Sequence, residues 1–93
     1  MSTVIAFHQV EDGSVWAKAW HGGSGSRQEM FAKIGVKART FRDPKRHEWT
    51  GLIFEVPDMQ KFQSFLESDE GKRAMKEDGL KVDTLRVLSE FKP

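Results

Sequence analysis

Thr3 to Val10 alternates loosely, with Val4, Ala6, His8 and Val10 on one side and Ile5, Phe7 and Gln9 on the other. Apolar residues on both faces predict a central strand. Glu11-Asp12-Gly13-Ser14 supplies a turn and a helix N-cap, after which Trp16, Ala19 and Trp20 recur at helical spacing and present two indoles. Gly22-Gly23-Ser24-Gly25 interrupts this helix. Ser26-Arg27-Gln28-Glu29 reads as a capping box that starts another, with Met30, Phe31 and Ile34 inward and Gly35 at its C-terminal end. Val36 to Phe41 and Trp49 to Val56 read as strands, and the polar segment between them carries the Asp43-Pro44 of a turn, so the two form a hairpin. After Pro57, Asp58 caps a helix whose stripe is Met59, Phe62, Phe65 and Leu66. Ser68-Asp69-Glu70 re-caps a second piece carrying Ala74 and Met75, closed by Gly79. Val82 to Leu88 is the last strand, and Phe91-Lys92-Pro93 is a short tail.

The order is βαββαβ. For one short chain it predicts an α+β, ferredoxin-like domain spanning 1–93: a four-stranded antiparallel sheet of order 4-1-3-2 with the helices on one face. The other face then poses a problem. Ile5, Phe7, Phe41, Ile53, Leu85 and Val87, or their alternates, point away from the helices, and either set is too apolar to be left in water. Pairing of two sheets in a homodimer solves it.

Composition narrows the classes. Fifteen Lys and Arg stand against 14 Asp and Glu, so no global field draws in nucleic acid or an anionic membrane. The absence of cysteine excludes a disulfide scaffold, thiolate chemistry and Cys-based zinc sites. The three histidines, His8, His21 and His47, have no short metal-ligand spacing, so no metal is expected. No basic segment and apolar run follow Met1, and no apolar stretch approaches the ~20 residues of a membrane span, so a cytoplasmic protein is the simplest expectation.

Glu55-Val56-Pro57-Asp58, followed by Phe62, Phe65-Leu66-Glu67-Ser68, Ala74-Met75 and Gly79-Leu80, is similar to the strand-helix-short-helix-strand segment of the dimeric α/β barrel superfamily. Its best-known branch is the antibiotic-biosynthesis-monooxygenase-like proteins, and the resemblance spans nearly the whole chain in element order. It implies a homodimeric barrel and, for an enzyme, a cofactorless oxygenase or isomerase. The superfamily also holds haem-handling enzymes, cyclases and members without a known role, so fold analogy alone does not select an activity.

The residues themselves offer candidates. His8, among Val4, Ala6 and Val10, reads as a neutral imidazole that takes a proton from a phenolic or enolic substrate, or as a core histidine with one satisfied hydrogen bond. Arg39 and Arg86 are the expected stabilisers of developing oxyanion charge. Trp16, Trp20 and Trp49 offer flat walls for an aromatic ligand or simply core, while His21 stands at a helix end that overhangs a pocket. Glu55 either contacts a ligand or pairs with Arg39 across the hairpin. The glycine-rich segment before Arg27 is a weak anion signal and reads better as a flexible kink. The leading expectation is a homodimer that binds a small aromatic or enolisable molecule and, as an enzyme, transforms it. Its alternative is a non-catalytic ligand-binding or stress-associated dimer.

Overall fold

A computed structural model describes residues 2–91 and 93. Its elements are β1 (Ser2–Val10), α1 (Gly13–Trp20), α2 (Arg27–Ala32), β2 (Lys37–Arg42), β3 (Trp49–Val56), α3 (Met59–Glu67), α4 (Asp69–Glu77) and β4 (Leu80–Ser89). The strands are antiparallel in the order β2-β3-β1-β4, which is the expected 4-1-3-2 arrangement, and each crossover carries a broken pair of helices. Three strands differ from expectation at their ends: β1 begins at Ser2, β2 is shifted one residue later at both ends, and β4 runs from Leu80, directly after Gly79 at φ 75°, to Ser89.

Short-range chemistry places every helix start. Asp12, Ser26, Asp58 and Ser68 accept from the amides of Ser14, Glu29, Lys61 and Gly71 at 2.8–3.2 Å, satisfying donors that the first turn leaves orphaned. The box around Ser26 is one residue wider than the usual pattern. Glu29 Oε1 accepts from the Gly25 amide at 3.2 Å, while the Ser26 amide turns to the Gly23 carbonyl. Gly22, Gly23 and Gly25 have φ of 101°, 91° and 79°, a left-handed run that glycine enters without a Cβ penalty.

The helices cover one face of the sheet. Val4, Val10 and Val56 are sealed beneath them, and an aromatic cluster fills the centre. Trp20 stacks on Phe31 at 5.6 Å and 16°, and Phe31 meets Phe54 at 5.1 Å and Phe65 at 5.2 Å. Each such side chain contributes roughly 1.5–3 kcal/mol by burial, and each aromatic pair adds about 0.5–1.5 kcal/mol.

The uncovered face carries Ile5, Phe7, Phe41 and Leu88, all more than 40% exposed, with Ile53 and Trp49 beside them. Leu85 and Val87 are not in this set. β4 pairs Arg86 with Phe7 and then Lys81 with Gln9, so His8 alone faces the four residues 82–85. This bulge resets the alternation of the strand. Val87 lies opposite Ala6 on the helix side, and Leu85 turns to the interior. Thr84 keeps the ladder closed across the bulge, its hydroxyl oxygen accepting from the Gln9 amide at 2.8 Å.

Candidate functional site

Between sheet and helices lies an apolar cavity of about 100 Å³. Its floor is Val4, Ala6, His8, Leu52 and Phe54 of β1 and β3. Trp16, Trp20 and Phe31 close one side, Phe62, Phe65, Leu66, Ala74 and Met75 form the roof, and Leu80, Leu85 and Val87 bring β4 to the rim. His8 and Asp78 supply the ionisable groups.

His8 is 3% exposed. It stands directly opposite Thr50 on β3. The Thr50 hydroxyl donates to the His8 carbonyl at 3.2 Å, and its oxygen lies 2.7 Å from Nδ1. With the hydroxyl proton on the carbonyl, that oxygen accepts from Nδ1–H, and this tautomer leaves Nε2 as a lone-pair acceptor. No hydrogen bond within the protein reaches Nε2, and among the described residues no fully enclosed side-chain nitrogen or oxygen lacks a partner, so Nε2 is accessible at the cavity wall. Burial pushes the imidazole down from its ordinary 6.5 to about 4, against a weaker upward pull from its own backbone. The ring is therefore neutral at pH 7, and its T-shaped contact with Trp16 at 6.4 Å holds its plane.

Asp78, at the end of α4, is the second polar group. Arg27 donates through Nε at 3.0 and 3.1 Å and through Nη2 at 2.9 Å, and Trp20 adds a side-chain hydrogen bond. Burial raises the carboxyl above its ordinary value while Arg27 holds it down. Its acceptor sites are thus spent joining α1, α2 and α4. No sequence signal foretold this pair, because its members are 51 residues apart. Thr50 was not legible either, because its place opposite His8 is set by the long-range β1–β3 register.

The structure brings His8, Trp16 and Trp20 together on this cavity. His21 caps α1 in solvent, on an adjoining groove. Arg39, Arg86, Trp49 and Glu55 stand on the opposite sheet face. Arg39 lies 5.5 Å over the Phe41 ring, and Arg86 folds back to the carbonyls of Leu85 and Asp83. The Arg39–Glu55 ion pair does not form; Glu55 accepts instead from the Thr3 hydroxyl at 2.9 Å. Register is the reason. Thr3 sits directly across from Glu55, whereas Arg39 pairs with Ile53. No cluster of three metal-ligating side chains occurs among the described residues, and none of their helices is long and apolar enough to cross a membrane.

No protein-family model matches the chain, and no curated protein does. Solved structures do match. An EthD (ethyl tert-butyl ether) family protein from Bacillus halodurans superposes with a TM-score of 0.52 at 15% identity over 100% of both chains. A structure described as an antibiotic biosynthesis monooxygenase superposes with a TM-score of 0.72 at 14% identity, covering 100% of this chain and 99% of the other. In fold, the chain is a ferredoxin-like α+β protein similar to these two solved structures.

Proposed function

We propose that the chain is a small-molecule-binding homodimer whose cavity takes one compact aromatic or enolic ring, with the ring's hydroxyl donating to His8 Nε2. The observation that carries this reading is an accessible imidazole nitrogen without a protein partner in an otherwise apolar chamber. Nε2 is open to the cavity as a lone-pair acceptor, and a phenolic or enolic O–H is a donor that fits it. Size sets the upper limit. A cavity of ~150 Å³ takes benzene, so about 100 Å³ admits at most a single small ring and has no room for a flavin or a haem.

The accompanying chemistry is proton removal. An imidazole with a pKa of about 4 is a weak base towards a free phenol, but a proton that reaches it inside the cavity stays beside the anion it leaves, and the ion pair raises its basicity. Return of that proton to another atom completes an isomerisation. For a substrate with a CH₂ next to the enolised carbonyl, the carbanion can instead add molecular oxygen. The resulting hydroperoxide takes the proton back and loses water, so that CH₂ and O₂ become C=O and H₂O. Fold likeness to an antibiotic biosynthesis monooxygenase supports the oxygenase outcome. Non-catalytic binding is favoured by a separate observation: Arg39 and Arg86 lie outside the cavity, and Arg27 is engaged by Asp78, so among the described residues no uncommitted cation faces a developing oxyanion there.

Titration with phenol, hydroquinone and a small enol lactone tests the reading, with indole fluorescence and thermal unfolding as readouts. Saturable quenching with stabilisation is expected. His8→Ala should weaken binding about tenfold and lower any oxygen uptake or isomerisation by roughly 10²–10⁴-fold. Binding without turnover selects the non-catalytic reading. Absence of both quenching and stabilisation with all three compounds refutes both.

A further inference from the structure

Sheet parity singles out an arginine on the same face as His8. Thr50 pairs with His8 on one side and with Arg42 on the other, so the three form one row across the helix-covered face. Arg42 Nη1 donates to the Gly13 carbonyl at the start of α1, at 3.3 Å. Among the described residues Arg42 makes no ion pair. Asp43, the adjacent carboxylate, is committed to the amides of Lys45 and Arg46 at 2.8 and 3.1 Å. The guanidinium is therefore tethered at one of its five donors, with the others uncommitted.

Beside it an open groove runs between α1, α2 and β2, lined chiefly by Trp16, Trp20, His21, Gln28, Thr40 and Arg42. Trp16 and Trp20 also wall the His8 cavity. The indole pair thus borders both an apolar cavity and a more open, more polar groove.

We propose that this groove is a second ligand site, selective for a planar carboxylate such as a benzoate. The acid group is taken side-on by Arg42, with Gln28, Thr40 and His21 as further donors, and the ring lies along the indole edges. Chemistry and charge both support it. A guanidinium fork matches a carboxylate bidentately, aromatic walls favour a flat ligand, and no anionic side chain among the described residues lines the groove. The site is distinct from the His8 cavity and does not depend on the function proposed for it.

Fluorescence titration with benzoate and its neutral isostere benzamide, at low salt, provides the test. Benzoate should bind about tenfold or more tightly than benzamide, the scale of a charge-assisted contact. Arg42→Gln should erase the preference, and His8→Ala should keep it, with thermal unfolding confirming that each variant is folded. Gln28→Ala, on the facing helix, should weaken benzoate several-fold without touching Arg42, and decides the matter should Arg42→Gln unfold. Equal affinity for the two compounds, or a preference that survives both groove variants, overturns the proposal. Binding lost in His8→Ala and unchanged in the groove variants would place the ligand in the closed cavity, which also overturns it and leaves the earlier reading standing.

Discussion

His8 and Thr50 show how much rests on a single cross-strand pair. Between pH 6.5 and about 4 the unfolded chain accepts a proton that the folded imidazole refuses. The stability contributed by burying His8 in its neutral form is therefore complete above pH 6.5 and is lost as pH falls through this window, by about 3 kcal/mol in all. Asp78 has the opposite sign: its raised carboxyl holds a proton more firmly in the folded chain, so its share of stability falls as pH rises through its own range. Urea midpoints at pH 7.5 and 5 should separate the two. The wild type should lose stability at the lower pH, and His8→Leu should lose markedly less; equal losses would refute the assignment. Thr50→Val should cost about 1–3 kcal/mol at pH 7.5, because Nδ1–H then has no acceptor. The residues that share a face with His8, Val4, Ala6 and Val10, were legible, but Ile5 and Phe7 make the other face apolar too, so which of the two the helices cover was not. Nor was Thr50, since a threonine on a strand gives no local sign of the imidazole opposite. Arg39 and Arg86 were attractive as cations on strands, but only the register reveals that both are on the far side.

Helix α2 depends wholly on tertiary contacts. Six residues are too few for an isolated helix. Ser26 starts it, Arg27 is held by Asp78, and Phe31 lies among Trp20, Phe54, Phe62 and Phe65. Phe31→Ala should therefore destabilise the protein by about 3–5 kcal/mol, read as a shift in the denaturation midpoint with an unchanged slope. Met30→Ala, at the half-exposed neighbour, should cost far less. Similar losses for the two would show that the aromatic cluster does not anchor the helix. Helix starts were readable because caps are short-range chemistry: Asp12, Ser26, Asp58 and Ser68 each sit two or three residues from the amide they satisfy. The β4 bulge was hidden for the converse reason. Val82 to Leu88 reads as one strand, and the Thr84 hydroxyl that bridges the irregularity bonds to Gln9, 75 residues away.

For the whole molecule, the decisive feature is the sheet face without helices. Ile5 and Phe7 at 41%, Phe41 at 45% and Leu88 at 53% exposure form an apolar surface with Arg39 and Arg86 among them. A chain of this length buries only roughly 60–65% of its unfolded surface alone, and a second copy placed sheet to sheet would cover that face. Light scattering coupled to size exclusion should give about twice 10.7 kDa at micromolar concentration. Phe7→Arg should return the mass to one chain while the fold persists. A wild-type mass of one chain would remove the proposed homodimer. Element order and strand order were present in the hydrophobic pattern while the covered face was left open by it, and the structural likeness at 14% identity shows why the order was readable: this fold is carried by alternation and caps more than by particular side chains.

The glycine-rich turn before α2 bears on how such a chain can diverge. A Cβ at Gly22, Gly23 or Gly25 would meet nothing within 4 Å, so only backbone handedness resists substitution there, whereas a Cβ at Gly13 would strike the His47 carbonyl. Extra residues between Gly22 and Gly23 would leave the Gly23–Ser26 turn and the cap of α2 intact. Lineages that share this scaffold can thus lengthen here at little risk to the core, and growth at this point would extend beside the groove of Arg42, where a new segment could alter which ligands are admitted.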